Sequence, residues 1–191
     1  MWTKGHELKY WNKNGLKKGT GIYPKYRESF SFDEFDFEGK KIADIGCGPL
    51  GGCFCGLSHL DVTLIDILAK EYSKMNASDR PIVCGDLSRQ LPFDDASFDF
   101  VVCTNAIDHI PNVRHGFREI YRILKEGGIA FVHVHLRTKA QLNKAHIHVL
   151  DLKRAGGLAK KVGFGVLSNK EDTDWVNDRA DRQAAYMVLN K

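Results

Sequence analysis

The nine residues Asp44-Ile45-Gly46-Cys47-Gly48-Pro49-Leu50-Gly51-Gly52 close a short apolar run that begins at Lys41. Glycines at 46 and 48 let a backbone turn sharply and pass close to a ligand. A helix N-terminus is expected next, with unpaired N–H groups that suit an anionic ligand. A plain glycine turn would read the same way, so the loop by itself does not decide between the two. Asp66 stands 18 residues after Gly48, at the end of a second apolar run. A carboxylate at that distance, on a strand tip, can accept hydrogen bonds from both hydroxyls of a ribose. The competing reading is a solvated strand-end aspartate. Gly85-Asp86-Leu87 ends a third run, where an aspartate can accept from an adenine amino group.

A second set of residues offers acid–base chemistry. A hydroxyl nucleophile gains from a base that titrates near neutrality, and histidine is the usual choice. Asp108-His109 follows a fourth apolar run, and His133 and His135 alternate on one face of a fifth. His146 and His148 repeat the H-x-H pattern. His109 and His135 are therefore the candidate bases, with Asp108 beside the first. Packing roles for all of them are the competing reading. Imidazole is a common metal ligand, but magnesium favours carboxylates and water, so no metal is expected. Cys53-x-Cys55 has no second cluster to complete a zinc site and reads as buried thiol.

These residues need elements to hold them. Lys41–Ile45, Asp61–Ile67, Pro81–Gly85, Phe98–Thr104 and Gly128–His135 read as strands buried on both faces, as in a parallel sheet. Val113, Phe117, Ile120, Tyr121 and Leu124 mark one face of a helix, ended by Gly127-Gly128. A later helix is expected over Leu142–Lys161, with a break at Gly156-Gly157. Arg114, Arg118 and Arg122 form a basic stripe that reads as a solvated helix face. Phe164–Leu167 and Ala185–Leu189 are candidates for an antiparallel pair. Strands alternating with helices predict a doubly wound α/β sheet.

The chain has 191 residues, 43% of them hydrophobic and 27% charged, which suits one globular domain. No apolar run approaches the roughly 20 residues of a membrane-spanning helix. The first residues lack the apolar core of a secretory signal, so a cytoplasmic location is expected and no membrane partner. Five cysteines, an odd number, argue for reduced thiols over a disulfide framework. The net charge is +4, and residues 1–27 carry seven Lys or Arg against one acidic residue, Glu7. Residues 1–35 read as an N-terminal arm or lid with one helix near Glu7–Asn12, and residues 36–191 as the single domain.

Taken together, the D-I-G-C-G-P loop, the acid at 66, Gly85-Asp86, the run Leu91-Pro92-Phe93…Ser97-Phe98-Asp99 and the turn Leu124-Lys125-Glu126-Gly127-Gly128 resemble the class I S-adenosylmethionine-dependent methyltransferases of the small-molecule type. The motifs come in that family's order over about residues 40–136. The resemblance implies a Rossmann-like, seven-stranded sheet with its last strand antiparallel, and S-adenosylmethionine as cofactor. It implies that Asp44, Gly46, Cys47 and Gly48 line the methionine end. Asp66 would hold the ribose and Ile67 pack on the adenine, with Asp86 and Leu87 at its border. Asn105 would stand beside the methyl donor. Leu50 departs from the pattern, which often has a third glycine there.

The expected substrate is a small polar molecule or glycan precursor methylated on oxygen or nitrogen. Tyr26, Arg27 and His133 are its candidate contacts. The basic arm keeps an RNA substrate open. Nucleic acid is disfavoured, because no two prolines adjoin and none precedes a cysteine. A cofactor-binding scaffold without catalysis is the third reading. The sequence assigns no oligomeric state.

Overall fold

A computed structural model describes residues 4–12, 16–142, 147–173 and 183–191. Within them, seven strands form one sheet: β1 (Lys41–Ile45), β2 (Asp61–Asp66), β3 (Ile82–Cys84), β4 (Phe98–Thr104), β5 (Leu124–Leu136), β6 (Gly165–Thr173) and β7 (Gln183–Asn190). Their order is β3-β2-β1-β4-β5-β7-β6. The pairs among the first five strands are parallel, and β7 is antiparallel to both neighbours. This is the expected sheet. The chain leaves β1 toward β2 on one side and returns as β4 on the other. That reversal opens a crevice at the carboxyl ends of β1 and β4, where open α/β sheets place ligands.

Among the described residues, five α-helices flank the sheet: α1 (Lys4–Tyr10), α2 (Leu16–Ser29), α3 (Ala69–Ser73), α4 (Val113–Ile123) and α5 (Leu152–Lys160). None of these is long and apolar enough to cross a membrane. One face of the sheet is covered by α4 and α5. Phe117, Ile120, Ala155 and Ala159 pack there on Val101, Val132 and Met187, all buried. Arg122 does not belong to a solvated stripe. Its guanidinium binds Glu119, Asp95 and the carbonyls of Leu91 and Phe93. It thereby fastens the loop after β3 to α4.

The other face is built by the N-terminal segment. Tyr23, Tyr26 and Phe30 are buried, and Phe32, Phe35 and Phe37 continue the layer. Phe131 of β5 is its hub, with ring centroids 4.7 Å from Phe32, 4.9 Å from Phe35 and 5.5 Å from Phe30. Residues 1–35, the segment expected as an N-terminal arm or lid, bury Tyr23, Tyr26, Phe30 and Phe32 against the sheet, while Lys9, Pro24 and Lys25 are exposed. They hold two helices. The second, α2, was hidden by Gly19, Gly21 and Pro24, which read as breakers. Pro24 sits inside it and removes one backbone donor, and the burial of Tyr23 and Tyr26 on either side offsets that loss.

Three further boundaries differ from expectation. Residues 147–149 are not helical, and Leu150 bridges to Arg137. Helix α5 starts only where the Asp151 carboxylate accepts from the Arg154 amide at 2.7 Å, a cap that fixes the start. Gly156-Gly157 does not break the helix. A Cβ on Gly156 would come within 2.8 Å of the Asn169 amide, so the glycine permits close approach to β6. Helix α4 passes directly into β5 at Leu124, and the expected terminator Gly127 lies inside that strand with φ +73°.

Phe131→Ala should destabilise the fold by roughly 3–5 kcal/mol, the cost of deleting a fully buried aromatic ring. Urea unfolding measures it. A loss below about 1 kcal/mol would show that the N-terminal layer is not part of the core.

Candidate active site

The loop after β1 is shaped by positive backbone angles at Gly46 (φ +74°) and Gly48 (φ +65°). The Gly46 amide donates to the Ile65 carbonyl at 2.8 Å, drawing the loop against β2. A Cβ on Gly46 would strike the side chain of Ala106, so only glycine lets the loop meet the segment that follows β4. Gly52 is equally constrained, because its Cβ would strike the Asp44 carboxylate.

Asp44 has no exposed surface. Its Oδ2 accepts from the Cys53 amide at 2.8 Å, and its Oδ1 has no hydrogen-bond partner among the described residues. Burial pushes the carboxyl up to about 7, against the Cys53 bond and with help from the negative charge of Asp66. A buried carboxylate oxygen without a donor is costly, so this one fits a ligand that brings a cationic donor. Asp66 is 8% exposed. Its two oxygens accept from the amides of Gly48 at 3.1 Å and Leu68 at 2.8 Å. Each oxygen keeps further acceptor capacity. Burial raises its carboxyl to about 6, opposed by those amides. Asp44 and Asp66 therefore flank the glycine loop as the sequence predicted.

The remaining predicted cofactor residues lie at or after the carboxyl ends of β1 to β4, and not all of them are open to a ligand. Cys47 is buried, and burial raises its thiol well above the usual range. Ile67 is half-exposed at the β2 tip. Asp86 caps its own turn, accepting from the Ser88 amide and hydroxyl at 2.9 and 2.6 Å. Leu87 is buried in the core. Asn105 follows β4 in the left-handed region (φ +53°), which asparagine tolerates better than most residues.

The histidines separate into two roles. The Asn105 amide donates to His133 Nδ1 at 3.2 Å, and the His133 ring packs edge-on against Tyr26 at 5.0 Å. His133 is fully buried and braces the turn at Asn105. His135 pairs with Asp108, its Nδ1 lying 2.8 Å from Asp108 Oδ2, with both side chains buried. The dyad thus joins residues 27 apart, and the sequence neighbour His109 is a third member. His109 Nε2 lies 3.2 Å from Asn105 Oδ1, and its ring is 6.1 Å from that of His135. Of the second H-x-H pair, His148 binds the Ile110 carbonyl at 2.7 Å, and His146 lies outside the described residues.

The N-terminal layer roofs this crevice. Tyr23 donates its hydroxyl to the Cys47 carbonyl at 3.2 Å, and Arg27 reaches the Cys53 carbonyl at 3.4 Å. Tyr26 is buried, 4% exposed, over His133. The Trp11 ring stands 3.1 Å from where a Cβ of Gly48 would be. Its indole N–H donates to Glu7 at 2.7 Å. Sequence reasoning passed over Glu7, Trp11 and the amides of Cys53 and Leu68. The i,i+4 spacing of Glu7 and Trp11 was the available signal. No residue type announces a backbone amide.

The matches to known proteins agree with this geometry. Residues 43–132 match a family model described as a methyltransferase domain. The chain is 31% identical over 159 residues to 24-methylenesterol C-methyltransferase 2 of Arabidopsis thaliana, covering 70% of this chain and 44% of that protein. It is 35% identical over 105 residues to the chloroplastic 2-methyl-6-phytyl-1,4-hydroquinone methyltransferase 1 of Oryza sativa subsp. japonica, covering 51% and 31%. The chain thus spans less than half the length of these relatives. The fold matches Phospholethanolamine N-methyltransferase 2 of Haemonchus contortus with a TM-score of 0.67 at 16% identity, covering 97% of this chain and 60% of that one.

Asp44 and Asp66 give the unliganded protein a distinctive pH response. A carboxyl raised in the folded state contributes stability that is full below its unfolded value near 4 and is lost as pH rises through the folded value. The melting temperature should therefore fall between about pH 4 and 7, and Asp44→Asn should flatten the decline. A melting temperature that rises over this range, or a decline unchanged in Asp44→Asn, would contradict the assignment.

Proposed function

The chain belongs to the class I S-adenosylmethionine-dependent methyltransferases, and on that premise we propose that it methylates an oxygen or nitrogen of a small polar molecule, such as a sugar or glycan precursor. The observation that carries the cofactor reading is Asp44 Oδ1, a buried acceptor without a donor beside a glycine loop. It suits an α-ammonium group. The cofactor supplies a methyl group on a positively charged sulfur.

The placement of the chain's own residues supports the following roles. Asp44, Gly46, Cys47 and Gly48 receive the methionine end. Asp66 takes the ribose hydroxyls with the acceptor capacity that its two amide bonds leave. Ile67 packs on the adenine, with Leu87 behind it and Asp86 holding the turn. Asn105, braced by His133, marks the end of the cofactor near the acceptor. Asp108, His109 and His135 face the acceptor and activate its nucleophile. Asp108 fixes the ring orientation of His135. Aligning the two reactants supplies much of the rate in such a transfer. Trp11, Tyr23 and Tyr26 exclude water from above. His133 and Tyr26 act through packing, and Arg27 is the remaining candidate for a direct substrate contact.

The polar character of the Asp108–His109–His135 group supports a hydroxyl-bearing acceptor. A second reading transfers the methyl group to a carbon of the acceptor. It is favoured by the two relatives, whose names specify carbon acceptors or a hydroquinone. Proton NMR of the product separates an O- or N-methyl group from a C-methyl group.

Calorimetry with S-adenosylhomocysteine tests the cofactor site. Asp66→Ala removes two charge-assisted bonds, each worth about 1.5–3 kcal/mol, and should weaken binding at least about 100-fold. Asp66→Asn should lose less. No binding by the intact chain, with its thermal unfolding normal, would contradict the reading. Deleting residues 1–30 is a poor test, since Tyr23, Tyr26 and Phe30 belong to the core. His135→Asn should lower turnover about 100-fold or more and leave S-adenosylhomocysteine affinity within about threefold. Unchanged turnover would remove His135 from the active site.

A further inference from the structure

Asp108, His109 and His135 each bring one ligand-type atom to a common point, and these atoms lie within 4.8 Å of one another. Two imidazoles and one carboxylate form a donor set suited to first-row transition ions, unlike the all-oxygen sets of magnesium or calcium. A tetrahedral ion with bonds of about 2.1 Å holds its ligand atoms about 3.4 Å apart and an octahedral one holds neighbours about 3 Å apart, so binding would draw any wider pair together. Asp108 and His135 are already 2.8 Å apart.

We propose that Asp108, His109 and His135 bind one divalent transition-metal ion, of the zinc or iron(II) class, at the carboxyl ends of β4 and β5. This departs from the sequence-based expectation of no metal. It deepens the methyltransferase reading and rests on it for the site's purpose. The three ligands leave coordination positions open, as catalytic metal sites do.

Outer partners for such a site are in place. Metal-binding histidines are usually oriented by a second hydrogen bond. Asn105 Oδ1 meets His109 Nε2 at 3.2 Å, and Asn105 is itself held by His133. The His135 ring is wedged against that of His133, with centroids 5.1 Å apart. Asp108 and His135 are both buried, whereas His109 is half-exposed and marks the open side. An acceptor hydroxyl bound to the ion there would have its pKa lowered, and its proton would leave to water. The activation of the nucleophile would then belong to the ion, with His135 as a ligand in place of a base.

The test is a cobalt(II) titration of the untagged full chain, followed by its visible absorption and by zinc competition. Asp108→Asn and His109→Ala are titrated in parallel. His109 is the less buried of the two, which keeps the test open if Asp108→Asn does not fold. The proposal expects saturation near one cobalt per chain, displacement by zinc, and at least about tenfold weaker binding in each folded variant. No saturable band, or a band of equal strength in the variants, overturns it. S-adenosylhomocysteine calorimetry on the same preparations separates the two claims. Binding of that ligand without a cobalt site defeats the metal alone. A cobalt site without that ligand's binding defeats the methyltransferase reading and leaves the metal site standing.

Discussion

A carboxylate with no exposed surface at the tip of the central strand is the constraint around which the site is arranged. Asp44 is covered by Gly52, held by a single backbone amide from Cys53, and faced by a second acid, Asp66. Burying a charge without a full set of partners costs several kcal/mol, and the fold carries part of that cost by letting the carboxyl hold its proton up to about pH 7. A packing role does not need an acid there, since an apolar residue would fill the space more cheaply. A cationic ligand that arrives only in the working state does need one. Gly52 follows from the same constraint, because a Cβ there would strike the acid, whereas Gly46 is fixed by Ala106 and Gly48 by Trp11 and Tyr23.

The sheet serves this arrangement by topology. Reversal of direction between β1 and β4 opens the crevice. The parallel register then brings the ends of β2, β4 and β5 to its rim. Asp66, Asn105 and His135 each sit at or just beyond one of those ends, so strand order alone collects them. The roof is made by the segment that also places Tyr23, Tyr26, Phe30 and Phe32 in the core on one face of the sheet. Tyr23 belongs to both, buried in the core and bonded through its hydroxyl to the Cys47 carbonyl of the glycine loop.

Most of the sheet was legible because parallel strands buried on both faces leave uninterrupted apolar runs, bounded here by glycine loops. The acid 18 residues after Gly48 was legible for the same reason, since its position on a strand tip is set by the run before it. Helix α2 was not. Its glycines and Pro24 contradict local propensity, and contacts far away in sequence stabilise it, those of Tyr26 with β5 and β7 and those of Tyr23 and Arg27 with the loop after β1. The dyad shows the same limit. Asp108 stands beside His109 in sequence, whereas the turn after β4 brings it to His135 of β5. The signal was present in Phe131-Val132-His133-Val134-His135, because polar rings inside a buried strand require partners. Nothing local names those partners.

The central claim is that Asp44 meets a cationic group of the cofactor. Calorimetric titration with S-adenosylhomocysteine near pH 6.5, in two buffers of different ionisation heat, tests it most directly. Because the free carboxyl titrates near 7, a cation that fixes it in the charged form should drive net release of more than about half a proton per site, abolished in Asp44→Asn. Binding without proton release would contradict the claim.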